Sequence, residues 1–187
     1  MGDSELISSF AIFSGISESH LSQIARQVEV LEHAPGDMIF QEGDEASHLY
    51  GVIDGEVELI LVVKDEDLIT DVQFEEYARV KTETREREII VDSIGRGEIF
   101  GWSALTSSGR FTSKAVCSMS TKLFALPAES LRAFFTQNPQ VGYPFMERLA
   151  DIIAKRLANR TDRLLDGWSE AFPLRVCFAE LIGLRSC

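Results

Sequence analysis

The amino-acid sequence predicts a mainly β fold with flanking helices: a double-stranded β-roll of jelly-roll type followed by a long C-terminal helix. Three observations predict it. Through the first two thirds of the chain, short apolar runs alternate with glycine-bearing turns, the spacing of antiparallel strands in a roll. From Phe145 onward the period lengthens, and Phe145, Leu149, Ile152, Ile153, Leu157 and Leu164 recur at helical spacing. The chain has 187 residues, 45% of them hydrophobic, which is enough for one packed domain with a helical appendage. The expected division is a roll with its N-terminal helix over 1–140 and a C-terminal helix and tail over 141–187.

The elements follow in order. Phe13-Ser14-Gly15-Ile16-Ser17 leads into Leu21, Ile24, Ala25 and Val28, a helical repeat with Ser17 as N-cap. Val30-Leu31 opens the strands. Ala34-Pro35-Gly36-Asp37, Gln41-Glu42-Gly43-Asp44 and Asp54-Gly55 are turns, with Met38-Ile39-Phe40 and Leu49, Tyr50, Val52 and Ile53 between them. Leu59–Val63 is an apolar strand and Glu88–Ile94 its return. The segment 64–87 between them starts acidic (Asp65-Glu66-Asp67), passes Val72, Phe74 and Tyr77, and ends in alternating Thr and charge. A segment this long forms either an extended two-stranded ribbon with solvated faces or a flap. Phe74 and Tyr77 then serve as a partner contact or lid, or as two aromatics pinning a solvated loop. Thr121–Leu126 is a further strand, and Pro127 starts a helix at its first position, running through Leu131 and Phe134-Phe135. Pro139 and Pro144 bracket the start of the last helix.

Composition excludes several functions. The net charge is −12 with a pI near 4.7, whereas nucleic-acid surfaces need clustered Lys and Arg, so no direct nucleic-acid binding is expected. Cys117, Cys177 and Cys187 lie far apart without metal-ligand spacing, and His20, His33 and His48 are scattered, so no metal is expected. No run reaches the ~20 apolar residues of a membrane span, and the first residues lack a basic, apolar leader. The expectation is a cytoplasmic chain with no membrane contact. Ser103 has no visible His–Asp partnering, so no catalytic residues are expected.

The stretch Gly97–Cys117, GEIFGWSALTSSGRFTSKAVC, carries the most information. Its glycines permit positive φ at a short helix start, where backbone N–H groups can gather around an anion. Phe100, Gly101, Ala104 and Leu105 resemble the phosphate-binding cassette of the cyclic nucleotide-binding domain, the sensor half of the bacterial catabolite-activator and fumarate-nitrate regulator superfamily. Gly36, Ile39, Glu42-Gly43-Asp44, Leu49-Tyr50, Val52 and Gly55-Glu56-Val57 fall in that family's order. The resemblance spans about Phe13 to Leu157, apart from the insert. It implies a cyclic nucleotide as the ligand and the β-roll as the fold. Placed on this sequence without gaps, the family's ribose-binding Glu falls on Trp102 and its phosphate-binding Arg on Phe111, with Arg110 at the preceding Pro position. Arg110 can replace the lost cation only if the loop slips by one residue, because adjacent residues of an extended strand face opposite ways. The candidate ligand contacts are Gly97, Glu98, Phe100, Gly101, Trp102, Ser103, Ala104, Arg110, Phe111 and Thr112. Trp102 either stacks on a flat ligand or fills the cavity.

These residues imply a non-catalytic ligand-sensing module that does not bind cyclic AMP in the usual way, with a small anionic effector as one candidate ligand. The alternatives are a genuine cyclic nucleotide receptor using Arg110, a protein-interaction module with a filled pocket, and the sensor part of a transcription regulator. The resemblance also implies homodimerisation through the C-terminal helix. Its tail, Gly167–Cys187, is too short for a helix-turn-helix and wing and is expected to fold back as a short helix.

Overall fold

The computed structural model describes residues 3–71 and 79–171. Phe74, Tyr77 and the tail from Phe172 onward, including Cys177 and Cys187, lie outside the described residues. The chain divides into two compact units, Met1–Met146 and Glu147–Cys187.

The first unit begins with α1 (Asp3–Ser8), a 3-10 turn (Ala11–Phe13) and α2 (Glu18–Ala25). Eight strands follow: β1 (Glu29–His33), β2 (Met38–Phe40), β3 (His48–Asp54), β4 (Val57–Asp71), β5 (Arg79–Ile94), β6 (Ile99–Phe100), β7 (Lys114–Cys117) and β8 (Thr121–Pro127), with a 3-10 helix, Trp102–Leu105, between β6 and β7. Helix α3 (Ala128–Gln137) leads to the long α4 (Pro139–Ala171). The strands form two antiparallel four-stranded sheets, β1-β8-β3-β6 and β2-β7-β4-β5. This is the predicted roll followed by its long helix.

Ser17 does precede α2, but its hydroxyl engages Ser19 and His20 instead of a backbone N–H. Pro127 stands at the N-cap of α3, one place before the predicted position, because it is also the last residue of β8, where it pairs with His48. Its extended ψ of 124° suits a strand end rather than a helical turn.

Alternation along β8 divides the apolar residues between two compartments. Leu123 and Ala125 join Phe40, Tyr50, Val52, Phe100 and Phe111 inside the roll. Phe124 faces the N-terminal segment, its ring edge-on to Phe10 at 4.8 Å. Gly51 lies across from Phe124, and a Cβ there would come within 2.2 Å of that ring, so the sheet needs a residue without a side chain. Gly55 (φ +92°) makes the β3–β4 turn under Thr121, whose hydroxyl donates to Glu56 O (3.1 Å) and accepts from Glu56 N (3.3 Å). Thr121 is thus a buried polar residue with its hydrogen bonds met.

The described residues of the 64–87 segment, 64–71 and 79–87, take the ribbon form. β4 and β5 pair from Val57↔Ile94 out to Asp71↔Arg79, with a bulge between Leu59 and Ile60. The register sets Lys64 opposite Glu86, Asp65 opposite Arg85 and Asp71 opposite Arg79. Lys64 and Glu86 form an ion pair at 3.3 Å, though an exposed pair of this kind contributes little alone.

Candidate functional site

The candidate site is the turn before β6, the 3-10 helix after it, and the segment leading into β7. In the turn, the Gly95 N–H donates to the Glu98 carboxylate (2.8 Å) and the Glu98 N–H to Gly95 O (3.1 Å). The Gly97 N–H donates to Val52 O (2.8 Å), and Val52 N–H returns a bond to Glu98 O (2.9 Å). The Gly97 N–H expected to face an anion is therefore spent on fastening the turn to β3, and the Glu98 N–H on closing the turn onto Gly95 O.

Phe100 then enters the interior, fully buried, its ring stacked on Tyr50 at 5.2 Å. Gly101 caps the 3-10 helix at φ +77°. A side chain there would be strained, and its Cβ would meet Tyr50 Cδ2 at 2.9 Å and His48 O at 3.0 Å. The Ala104 N–H donates back to Gly101 O (3.1 Å), and Ala104 is buried. Trp102 and Ser103 are half-buried. Trp102 is not among the buried residues that fill the roll.

Residues 109–111 run antiparallel to 43–46: Ala46 N–H donates to Gly109 O (2.9 Å), Phe111 N–H to Asp44 O (3.0 Å) and Gly43 N–H to Phe111 O (2.8 Å). An extended segment sends neighbouring side chains to opposite faces. Arg110 points out, exposed, its guanidinium donating to Gly43 O at 2.7 Å. Phe111 points in, only 5% exposed, stacked face to face on Phe40 with ring centroids 3.6 Å apart and planes within 7°. Phe40 also touches Tyr50 (5.8 Å) and Phe100 (6.0 Å). Thr112 is exposed, outside this cluster.

The structure thus brings Phe100, Gly101, Ala104 and Phe111 together around an aromatic interior, and leaves Glu98, Arg110 and Thr112 outside it. Phe40 and Phe111 fill the interior, and Trp102, for which filling the cavity was one of two readings, lies outside the buried cluster. Among the described residues from β1 to β8 the buried polar side chains are those of Ser113 and Thr121, neither of them a cation. Burial pushes the Tyr50 hydroxyl and the Cys117 thiol above their ordinary pKa values, as a medium that disfavours charge requires.

Arg132 is the residue that sequence reasoning missed. From α3 its guanidinium donates to Ala104 O (2.5 Å) and Thr106 O (3.2 Å), occupying carbonyls at the end of the 3-10 helix. Among the described residues no group of three or more His, Cys, Asp or Glu could hold a metal ion, and no helix is long and apolar enough to cross a membrane.

A family model described as the cyclic nucleotide-binding domain matches residues 30–138. The chain is 22% identical over 162 residues to a CRP-like cAMP-activated global transcriptional regulator of Mycobacterium tuberculosis, a match covering 87% of the chain and 62% of that regulator. The chain therefore spans less than two thirds of this relative's length. In structure it resembles a cyclic nucleotide-binding domain from Methylobacillus flagellatus (TM-score 0.64, 18% identity, 87% of this chain and 80% of that one). It also resembles the regulatory subunit of a cAMP-independent protein kinase A from Trypanosoma brucei (TM-score 0.59, 16% identity, 86% and 49%).

Proposed function

The chain belongs to the cyclic nucleotide-binding domain family, and from that premise we propose that it is a non-catalytic regulatory module whose roll interior is packed shut against cyclic nucleotides. One observation carries this reading: Phe111 is stacked on Phe40 inside the roll while the adjacent Arg110 is held outside on Gly43 O. A cyclic phosphate in that interior would displace aromatic packing and meet no cation. Removing one partner of a buried ion pair costs roughly 3–5 kcal/mol, about two to three and a half orders of magnitude in affinity. Calorimetric titration of the full chain with cyclic AMP and cyclic GMP should show no saturable binding up to about 1 mM. A micromolar dissociation constant for either would overturn the reading.

With the interior filled, signalling falls to protein contacts, and helix α4 supplies one. Ala150, Ala154, Leu157, Thr161 and Leu164 recur at alternating steps of four and three, and all are exposed. Leu157 and Leu164 are each 65% exposed, much apolar surface for one helix to leave in water. That pattern suits a two-stranded coiled coil with a second copy of the chain.

A further inference from the structure

Away from the roll interior, α2 and α3 border a groove of about 400 Å³ lined by Gln23, Arg26 and Gln27 from one side and Ser130, Ala133, Phe134 and Gln137 from the other. Its volume is that of a small-molecule site. The α3 wall is one helix face, since its residues recur at steps of three and four, and the facing wall is Gln23 of α2 with Arg26 and Gln27 from the turn that ends it. The chemistry is one-sided. The lining holds one guanidinium, three carboxamides and a hydroxyl around the mostly buried ring of Phe134, and no carboxylate. Among the described residues Arg26 has no acidic partner, and the Gln23, Gln27 and Gln137 amides make no hydrogen bond to protein. The charge of Arg26 also favours the C-terminal end of α2, which explains its place in sequence but leaves its five donors uncommitted.

We propose that this groove binds a small organic carboxylate bearing a flat apolar group. The carboxylate lies on the Arg26 fork in the bidentate manner that guanidinium geometry favours. The Gln amides supply further donors, and the flat group covers Phe134. The net charge of −12 opposes an anion only weakly at this point, because exposed charges are screened beyond about 8 Å at physiological salt. The proposal does not depend on what the roll interior accepts.

The test is a titration of the full chain with benzoate and phenylacetate, followed by NMR on the Gln side-chain amides and the Arg26 Nε–H. Benzamide and benzylammonium are the neutral and cationic controls. Saturating shifts on Gln23, Gln27, Gln137 and Arg26 within about 10 mM carboxylate are expected, with benzylammonium silent. Arg26→Gln should weaken binding about tenfold or more. Ala133→Glu, which sets a negative charge on an exposed wall position, should abolish it without disturbing the far-ultraviolet circular dichroism. Absence of saturation, equal binding of benzylammonium, or Arg26→Gln binding as the parent does would each overturn the proposal.

Discussion

At the scale of single residues, two neighbours, Arg110 and Phe111, decide what the roll can hold. Truncating Phe111 to Ala removes a ring stacked on Phe40 in the interior, and chemical denaturation should show a loss of about 3–5 kcal/mol. Arg110→Ala removes one exposed hydrogen bond to Gly43 O and should cost no more than about 1.5 kcal/mol. Similar losses for the two would contradict the inside–outside assignment. Stability should also fall in alkali. Burial raises the pKa of Tyr50 and Cys117, so as pH rises the unfolded chain loses those protons first and binds fewer than the native state. Their contribution is intact below the unfolded values, about 8.5 for Cys and 10 for Tyr, and is lost as pH climbs through the higher folded ones. Unfolding free energies measured between about pH 8 and pH 11 should therefore decline, and less steeply above about pH 10 in Tyr50→Phe.

Among the elements, the 3-10 helix Trp102–Leu105 depends on α3 through Arg132. Arg132→Ala should raise hydrogen exchange of the Ala104 and Thr106 amides at least several-fold, while Arg132→Lys, which keeps a donor, should raise it less. Unchanged exchange in Arg132→Ala would mean that the guanidinium holds nothing. This contact also marks where sequence reading stops. The strands were legible because their apolar runs and turns have local causes: Gly55 must take φ +92°, and Phe40 ends an apolar run closed by a turn. That Arg110 and Phe111 face opposite ways was legible from their adjacency in an extended segment, but which of them faces inward was not. Arg132 lies in a helix of ordinary polar pattern, and only the tertiary fold sets it against carbonyls 28 and 26 residues away. The two readings of Trp102 could not be separated locally: its size fits a cavity, but Gly101 turns the chain into a 3-10 helix just before it. The two forms left open for 64–87 could not be separated locally either, because pairing of β4 with β5 is a long-range event.

For the whole molecule, the proposed second copy sets the expected behaviour. Sedimentation should show a dimer, and Leu157→Glu together with Leu164→Glu should convert it to a monomer with the roll's spectrum unchanged. A monomeric parent would remove α4 from the account. The ribbon of β4 and β5 carries a separate consequence for the molecule in a crowded solution. β5 is the outermost strand of its sheet, and such a strand offers unpaired backbone to any like strand it meets. Two copies zipping antiparallel would bring together positions of the same parity. Around the middle of the exposed stretch, Glu86 and Glu88 would then confront their own kind, and so would Arg87. The glutamates that pair with Lys64 of β4 and Lys114 of β7 within one molecule thereby deter fibre growth between molecules, and replacing both with threonine should leave a protein that folds yet precipitates on concentration.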